Sequence, residues 1–271
     1  MTGMTKGASS GTSTSSMTGE VTIRKCETLE EMQACFALQK EVWKFADADL
    51  IPVRMFVVAA KIGGQVIGAS VQRNGANELI GFALAIPGVR NGYCYLHSQM
   101  LAVRPQYRNG GLGRRMKLHQ REDALARGIE LMEWTFDPLE IKNAYLNIEK
   151  LGAIARRYNV NQYGITSSPL QGGLPTDRLG AEWWMNSKRV EAVLAEAPRA
   201  KFECRARIDV PAEIYEWKEE AAARAQALAV QRNNRERFEK AFAEGLSVLG
   251  YERDEHGNGR FLLGEWDEAR R

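Results

Sequence analysis

The stretch His97-Ser-Gln-Met-Leu-Ala-Val-Arg-Pro-Gln-Tyr-Arg-Asn-Gly-Gly-Leu-Gly113 decides how this chain folds. Up to Val103 it reads as the end of a strand that begins at Tyr93 and stops at Pro105, which has no N–H to give to a sheet. From Arg108 to Gly113 it is a glycine-rich turn. The helix opening near Gly111 runs to Arg127 and stops at Gly128. A strand that feeds such a turn leaves several N–H groups unpaired at the positive end of the helix dipole, which suits a phosphate or pyrophosphate. Gly110, Gly111 and Gly113 let that group approach without a Cβ in the way. On the glycines alone, a helix-entry turn with no ligand is an equal reading. Two phosphate cradles are excluded. No Gly-Lys-Ser/Thr ending is present. Gly111-x-Gly113 also lacks a third glycine three residues on and follows several strands, unlike a dinucleotide fingerprint.

Outward from this segment the pattern is mixed. Upstream, Val21 to Arg24 alternates as a strand. Thr28-Leu29-Glu30-Glu31 is a capping box, and its helix runs to about Trp43 with Leu29, Met32 and Phe36 on one face. Met55 to Ile62 reads as a buried strand, and Gly63-Gly64 as a hairpin turn into the strand Gln65 to Val71. Leu79 to Ile86 is a further strand, closed by Pro87-Gly88.

Downstream, Ile129 to Phe136 is a strand and Glu140 to Leu151 a helix ending at Gly152. Ala153 to Tyr163 and Ala181 to Val190 read as strands around the Gly/Pro-rich loop Ser167 to Gly180. Beyond Val190, Pro198 and Pro211 flank a strand-like Phe202 to Val210. A long Ala-rich helix, Ala212 to Glu244, follows, with a break at Asn233-Asn234. A hairpin, Leu246 to Tyr251 and Arg260 to Leu263, turns at His256-Gly257-Asn258-Gly259. No internal repeat is visible. The class is α+β: a mixed, mostly antiparallel sheet flanked by helices, with a C-terminal helix-plus-hairpin extension.

The chain has 271 residues, 44% apolar and 26% charged, enough to bury a core without staples. A net charge of +3 is too small for a nucleic-acid arm or a polybasic membrane patch. No apolar run approaches the length of a bilayer helix. Cys26, Cys35, Cys94 and Cys204 form no CxxC pair, and with only His97, His119 and His256 a zinc cage has little to work with, so no metal is expected. Scattered cysteines read as reduced thiols of a cytoplasmic protein. Residues 1–19, almost all Ser, Thr and Gly, read as a disordered tail or an over-long start.

Arg108-x-x-Gly111-x-Gly113, with Leu101-x-Val103-x-Pro105 before it, resembles the acetyl-CoA signature of the GNAT acyltransferase superfamily. Asn143-Ala144 and Asn147-x-x-Lys150-Leu151-Gly152 look like that superfamily's second CoA-side motif. Strand order and spacing are similar from about Val21 to Val190. Trp134-Thr-Phe-Asp-Pro-Leu139, Asn143-Ala144 and Leu174-Pro-Thr-Asp-Arg178 are similar to a bacterial subgroup of predicted acetyltransferases in which a C-terminal extension recurs. The resemblance implies a GNAT-like domain over 20–190 and an extension, 191–271, packed on it. It implies a gap between two splayed strands that holds pantetheine against the backbone of Leu101 and Val103. The backbone from Arg108 through Asn109, Gly110, Gly111 and Leu112 to Gly113 would hold the pyrophosphate, and Asn143 and Asn147 would line the groove. Helix capping is the other reading of Asn143.

The implied chemistry is transfer of an acetyl or other short acyl group from acyl-CoA to a small-molecule amine. The alternatives are an acyl-CoA sensor or a non-transferase enzyme such as a decarboxylase, or, from another class, an interaction protein using its long helix. Expected partners are the amine acceptor and a second copy in a homodimer, with no nucleic acid and no membrane. His97 lies four residues before Leu101, and an imidazole suits removal of a proton from an ammonium; a histidine hydrogen-bonded within the sheet is its other reading. Gln99 is expected to point the same way two residues on and to orient a water or bind substrate. Many members of the superfamily carry an acid tyrosine where this chain has Ile148, so either the thiolate leaves unaided or Tyr145 or Tyr158 serves.

Trp134, Asp137 and Arg178 are the expected acceptor-side residues. Asp137 has helix capping as its other reading, and Arg178 with Asp177 a loop salt bridge. Lys117 and Gln120 read as solvent-facing on the central helix, and Trp183-Trp184 as core or interface.

Overall fold

The computed structural model describes residues 20–73, 75–164 and 166–267; the expected tail, 1–19, lies outside them. In chain order the elements are β1 (Val21–Lys25), α1 (Leu29–Trp43), α2 (Val53–Lys61), β2 (Gln65–Arg73), β3 (Ala76–Arg90), β4 (Tyr93–Val103) and α3 (Leu112–Ala126). They continue with β5 (Leu131–Phe136), α4 (Ile141–Tyr145, prolonged by a π turn over Leu146–Lys150), β6 (Ile154–Asn159), β7 (Arg178–Trp184) and α5 (Lys188–Leu194). Last come β8 (Ala206–Val210), α6 (Ile214–Glu219), α7 (Arg224–Ala243), β9 (Leu246–Arg253) and β10 (Gly259–Glu265).

The strands form one ten-stranded sheet in the order β1-β2-β3-β4-β5-β7-β6-β9-β10-β8. All of its described pairings are antiparallel except β4 with β5. Strand alternation sends Val66, Phe82 and Leu84 to one face, where Met32, Leu38 and Phe56 of α1 and α2 cover them. Ile67, Ile80 and Ala83 go to the other face, under Leu112 and Met116 of α3. The fold is thus the mixed, mostly antiparallel sheet flanked by helices that the sequence implies.

Several local readings are corrected. Met55 to Ile62 is not a strand but most of α2. An apolar run this short carries no period that separates the two states. Pro52 stands at the helix N-cap, and Phe56 and Ala59, three apart, are its buried residues. Gly63-Gly64 is therefore a helix exit, not a hairpin: Gly63 has φ +89° and the Gly64 N–H donates back to Ala59 O at 2.8 Å. β3 runs on through Pro87-Gly88, paired with Leu96 and Tyr95, and turns only at Asn91-Gly92, both with positive φ. The capping box at Thr28 forms, but Leu29, in the first turn, is exposed. Val190 belongs to α5, capped by Ser187, and not to a strand. The long C-terminal helix breaks at residues 220–223, not at Asn233-Asn234.

The C-terminal segment joins the sheet itself. β9 meets β6 at Ala155↔Val248, and β10 and β8 follow outward. One apolar cluster runs from Met132, Ile148 and Trp183 to Phe238, Val248 and Phe261.

Candidate functional site

β4 and β5 are in register at only two positions, Leu96↔Met132 and His97↔Glu133, although β4 continues to Val103 and β5 to Phe136. The sheet therefore forks after His97 and Glu133. A bulge shapes the β4 arm. The β3–β4 register jumps from Ala85↔Ser98 to Leu84↔Met100, so Gln99 is the extra residue, and it is exposed. Before the bulge, Ser98 reaches the α3 face. After it, Met100 and Ala102 pack with α1 and α2, while Leu101 and Val103 pack on the α3 side. Gln99 does not simply repeat the direction of His97, because the expectation assumed an unbroken alternation.

The glycine turn sits at the mouth of the fork. Gly111 caps α3 at φ +77° and Asn109 has φ +65°. The first backbone bond into α3 is Arg115 N–H to Gly111 O at 3.0 Å, so the amides before Arg115 face outward without an acceptor from the helix. A Cβ added at Gly110 or Gly111 would meet nothing within 4 Å, and one at Gly113 would lie 3.7 Å from Leu101 Cδ2. Leu112 anchors the first turn of α3 in the core. The Arg108 side chain turns back and donates to Val103 O at 2.9 Å, so that carbonyl already holds one partner. Arg114 Nε donates to Lys150 O at 3.2 Å and ties α3 to the end of α4. On α4, Asn147 is buried and its Nδ2 has no partner among the described residues, Asn143 is exposed, and Ile148 lies wholly in the core. The Tyr145 ring faces Lys150 and Arg253 of β9.

The two faces of the fork carry different chemistry. His97, Glu133 and Glu182 stand in one row across β4, β5 and β7. The carboxylates are 5% and 4% exposed. Glu133 accepts from Arg90 and forms an ion pair with Arg157 at 3.0 Å, and Glu182 accepts from Arg156 at 2.8 Å. The His97 ring has no hydrogen-bond partner among the described residues. Burial lowers its pKa from 6.5; Glu133 opposes that, and Lys117 and Arg157 add to it. Sequence reasoning missed both glutamates. Each interrupts an apolar strand, but only the insertion of β7 between β5 and β6 brings them side by side.

On the α3 face, Lys117 Nζ donates to Ser98 Oγ at 2.7 Å and lies 3.8 Å from the centroid of the Trp134 ring. Ser98 Oγ in turn donates to Gln120 Oε1 at 3.2 Å. Lys117 and Gln120 are buried, not solvent-facing: they sit on the α3 flank that covers the fork. Burial pushes the Lys117 ammonium down to about 7.

Of the expected acceptor-side residues, Trp134 is buried edge-on against Trp183. Asp137 is taken up inside the protein, accepting from the Leu139 N–H at 2.8 Å and from Lys218 of α6 at 3.1 Å. Arg178 stacks over Tyr163 and donates to Gln171 Oε1 at 3.1 Å, while Tyr163 and Thr135 share a 3.0 Å hydrogen bond. Asp177 is fully buried and bound by Arg235 of α7, Tyr158 Oη and the Asn161 N–H. It is a structural knot, and Tyr158 is tied into it.

Among the described residues no group of three or more His, Cys, Asp or Glu side chains is arranged to hold a metal ion, and no helix is long and apolar enough to cross a membrane. Residues 25–146 match the model of the acetyltransferase (GNAT) family. Comparison with the curated proteins finds no match. Among solved structures, the ribosomal-protein-S18-alanine N-acetyltransferase from Escherichia coli is 19% identical over 60% of this chain and 92% of its own, with a TM-score of 0.46. An acetyltransferase of the GNAT family from Streptococcus pneumoniae is 17% identical over 60% of this chain and 98% of its own, at 0.46. The yncA protein from Salmonella typhimurium, solved with its cofactor acetyl-CoA, is 16% identical over 61% and 94%, at 0.48.

Proposed function

We propose that this chain, which carries a GNAT acetyltransferase-family domain over residues 25–146, moves an acetyl or other short acyl group from acyl-CoA to the amine of a small molecule. The observation that carries the reading is the fork that begins after His97 and Glu133 and opens toward the Gly110-Gly111 turn. The open turn and its outward amides suit a pyrophosphate. The buried, unpartnered Asn147 Nδ2 suits an acceptor from the same molecule. Outward backbone groups of Leu101 and Val103 suit an extended pantetheine arm, with one lone pair of Val103 O already used by Arg108.

In this reading His97 takes a proton from the incoming amine. Its lowered pKa keeps it neutral and able to accept at pH 7. A backbone N–H at the Gln99 bulge polarises the acyl carbonyl. Tyr163, Thr135 and Arg178 form the acceptor side. Residues 20–190 would form the acyl-CoA-binding domain, with 191–271 packed on it. The free cysteines are those of a cytosolic protein, and that location belongs to the proposal.

One observation favours a second reading, an acyl-CoA sensor or decarboxylase: Ile148, on the helix that flanks the fork, has no proton to give. Calorimetric titration with acetyl-CoA, followed by free-thiol release with a panel of amines, tests both. Absence of binding refutes both, and binding without thiol release favours the second.

A further inference from the structure

Lys117 is a buried cation for which this reading has no task. It is 3% exposed, and among the described residues no carboxylate lies within ion-pair distance of it. Lys218, the second buried lysine among the described residues, holds two, Asp137 and Glu140. A buried ammonium without a counter-charge is costly and is retained where something else needs it. The surroundings of Lys117 supply one hydroxyl, Ser98 Oγ at 2.7 Å, and the face of Trp134 at 3.8 Å.

Its position is specific. Ser98 follows His97, the last β4 residue paired with β5, and Trp134 follows Glu133, the last β5 residue paired with β4. From α3, Lys117 therefore reaches the first residue beyond the pairing on both arms of the fork. Glu133 and Arg157 hold each other on the opposite face of the sheet. The other polar group at the vertex is Gln120, hydrogen-bonded to Ser98. Ile148 on α4 offers nothing ionisable.

We propose that Lys117 is the general acid of this site, giving a proton to the coenzyme A sulfur as the acyl carbon–sulfur bond breaks. The inference rests on the acyl-CoA reading above. The amine nitrogen forms a bond to the acyl carbon and loses a proton to His97. The carbon–sulfur electron pair goes to sulfur, which takes the Lys117 proton. Exchange with water then returns the proton from His97 and reloads Lys117. The products are an amide and free coenzyme A. Burial loosens the hold of Lys117 on its proton, which fits a donor working near neutral pH.

The test uses the full chain and two variants, Lys117→Met and Lys117→Arg, checked for folding by circular dichroism. The first readout needs no turnover: the thiol of bound coenzyme A is titrated by its thiolate absorbance. The expected thiol pKa is lower in the wild type than in Lys117→Met by about one unit or more, because the ammonium favours the thiolate. The second readout is leaving-group dependence. With acetyl-CoA, Lys117→Met is expected to lose about a hundredfold in kcat. With the acetyl thioester of a strongly acidic aromatic thiol, which leaves without a proton, it stays within severalfold of wild type. If Lys117→Met does not fold, Lys117→Arg carries the test: it keeps a charge but cannot give a proton, so it should show the same loss and the same rescue. Equal thiol pKa values in the wild type and Lys117→Met, or equal losses with both thioesters in either variant, would overturn the proposal. So would a variant that transfers acetyl normally and fails only with acyl groups ending in a carboxylate. If the wild type binds no coenzyme A, the acyl-CoA reading fails first.

Discussion

Gly110→Val separates a ligand-binding turn from a structural one. Gly110 has no positive φ, and a Cβ there meets nothing within 4 Å, so the folded chain accepts a side chain without clash or backbone strain. The expected change in stability is within about 0.5 kcal/mol. Gly111→Val is a poorer probe. Its φ of +77° alone costs a branched residue about 1–2 kcal/mol, which confuses folding with binding. The valine methyls would stand over amides that have no acceptor among the described residues. Each N–H bond to a charged phosphate oxygen is worth about 1.5–3 kcal/mol. Pushing the ligand off two of them removes about 3 kcal/mol or more, roughly a hundredfold or more in Kd. Calorimetric titration with acetyl-CoA, beside thermal melting of the same samples, makes the measurement. A variant that melts like wild type and binds acetyl-CoA with wild-type affinity would refute the assignment of this turn to the pyrophosphate.

Three further outcomes are expected. Burial holds the His97 imidazole below its ordinary value, so as pH falls below about 6.5 the unfolded chain takes up a proton that the folded chain refuses. Unfolding free energy should therefore fall with pH in that window and fall less in His97→Gln; urea melts at several pH values check this, and parallel curves would contradict it. Asp177→Asn leaves Arg235 without its buried partner and should cost on the order of 3 kcal/mol in urea unfolding; an unchanged midpoint would show that this ion pair does not hold α7 in place. A fragment ending at residue 190 loses Phe238, Val248 and Phe261 from the shared cluster and β9 from the edge of β6. It should aggregate or unfold in gel filtration and circular dichroism, and a soluble, active fragment would contradict this.

The strand, turn and helix at the mouth of the fork were legible in sequence because they are local, whereas the fork itself was implied only by the family resemblance. A strand ending at Pro105, a glycine turn and a capped helix are each written within a few residues of one another, and Tyr93–Val103 and Leu112–Ala126 lie where that grammar puts them. Val53–Lys61 was not legible, because nine residues of mixed apolar character fit either state until packing chooses. Glu133 and Glu182 were missed, and Lys117 was read as solvent-facing, for a different reason. A charge in a strand or on a charged helix reads as surface. Only register across β4, β5 and β7, and the packing of Lys117 against Ser98 and Trp134, brings these three to the fork. The bulge at Gln99 belongs to the same class, since it is a relation between β3 and β4 and not a property of either sequence.

That bulge and the two-residue pairing together fix where protons can enter and leave. In-register partners share a face, so His97 and Glu133 stand on one side of the sheet, and the next residues, Ser98 and Trp134, stand on the other. In the proposed reaction the base and the acid therefore occupy opposite faces of the same gap, separated by the thickness of a strand. An amine deprotonated from the His97 face meets the acyl carbon in the plane of the fork, and the sulfur leaves toward Lys117. Two more residues of β4–β5 pairing would close the gap between them. An unbroken β4 would send Met100 toward α3, on the side that Lys117 occupies, and fill with a thioether the space the leaving group needs. The short pairing and the extra residue thus act on the same few ångströms, which is why Lys117 and His97 are better tested as a pair: if they serve one reaction from two faces, the losses from His97→Gln and Lys117→Met in acetyl-CoA turnover should combine to less than their product.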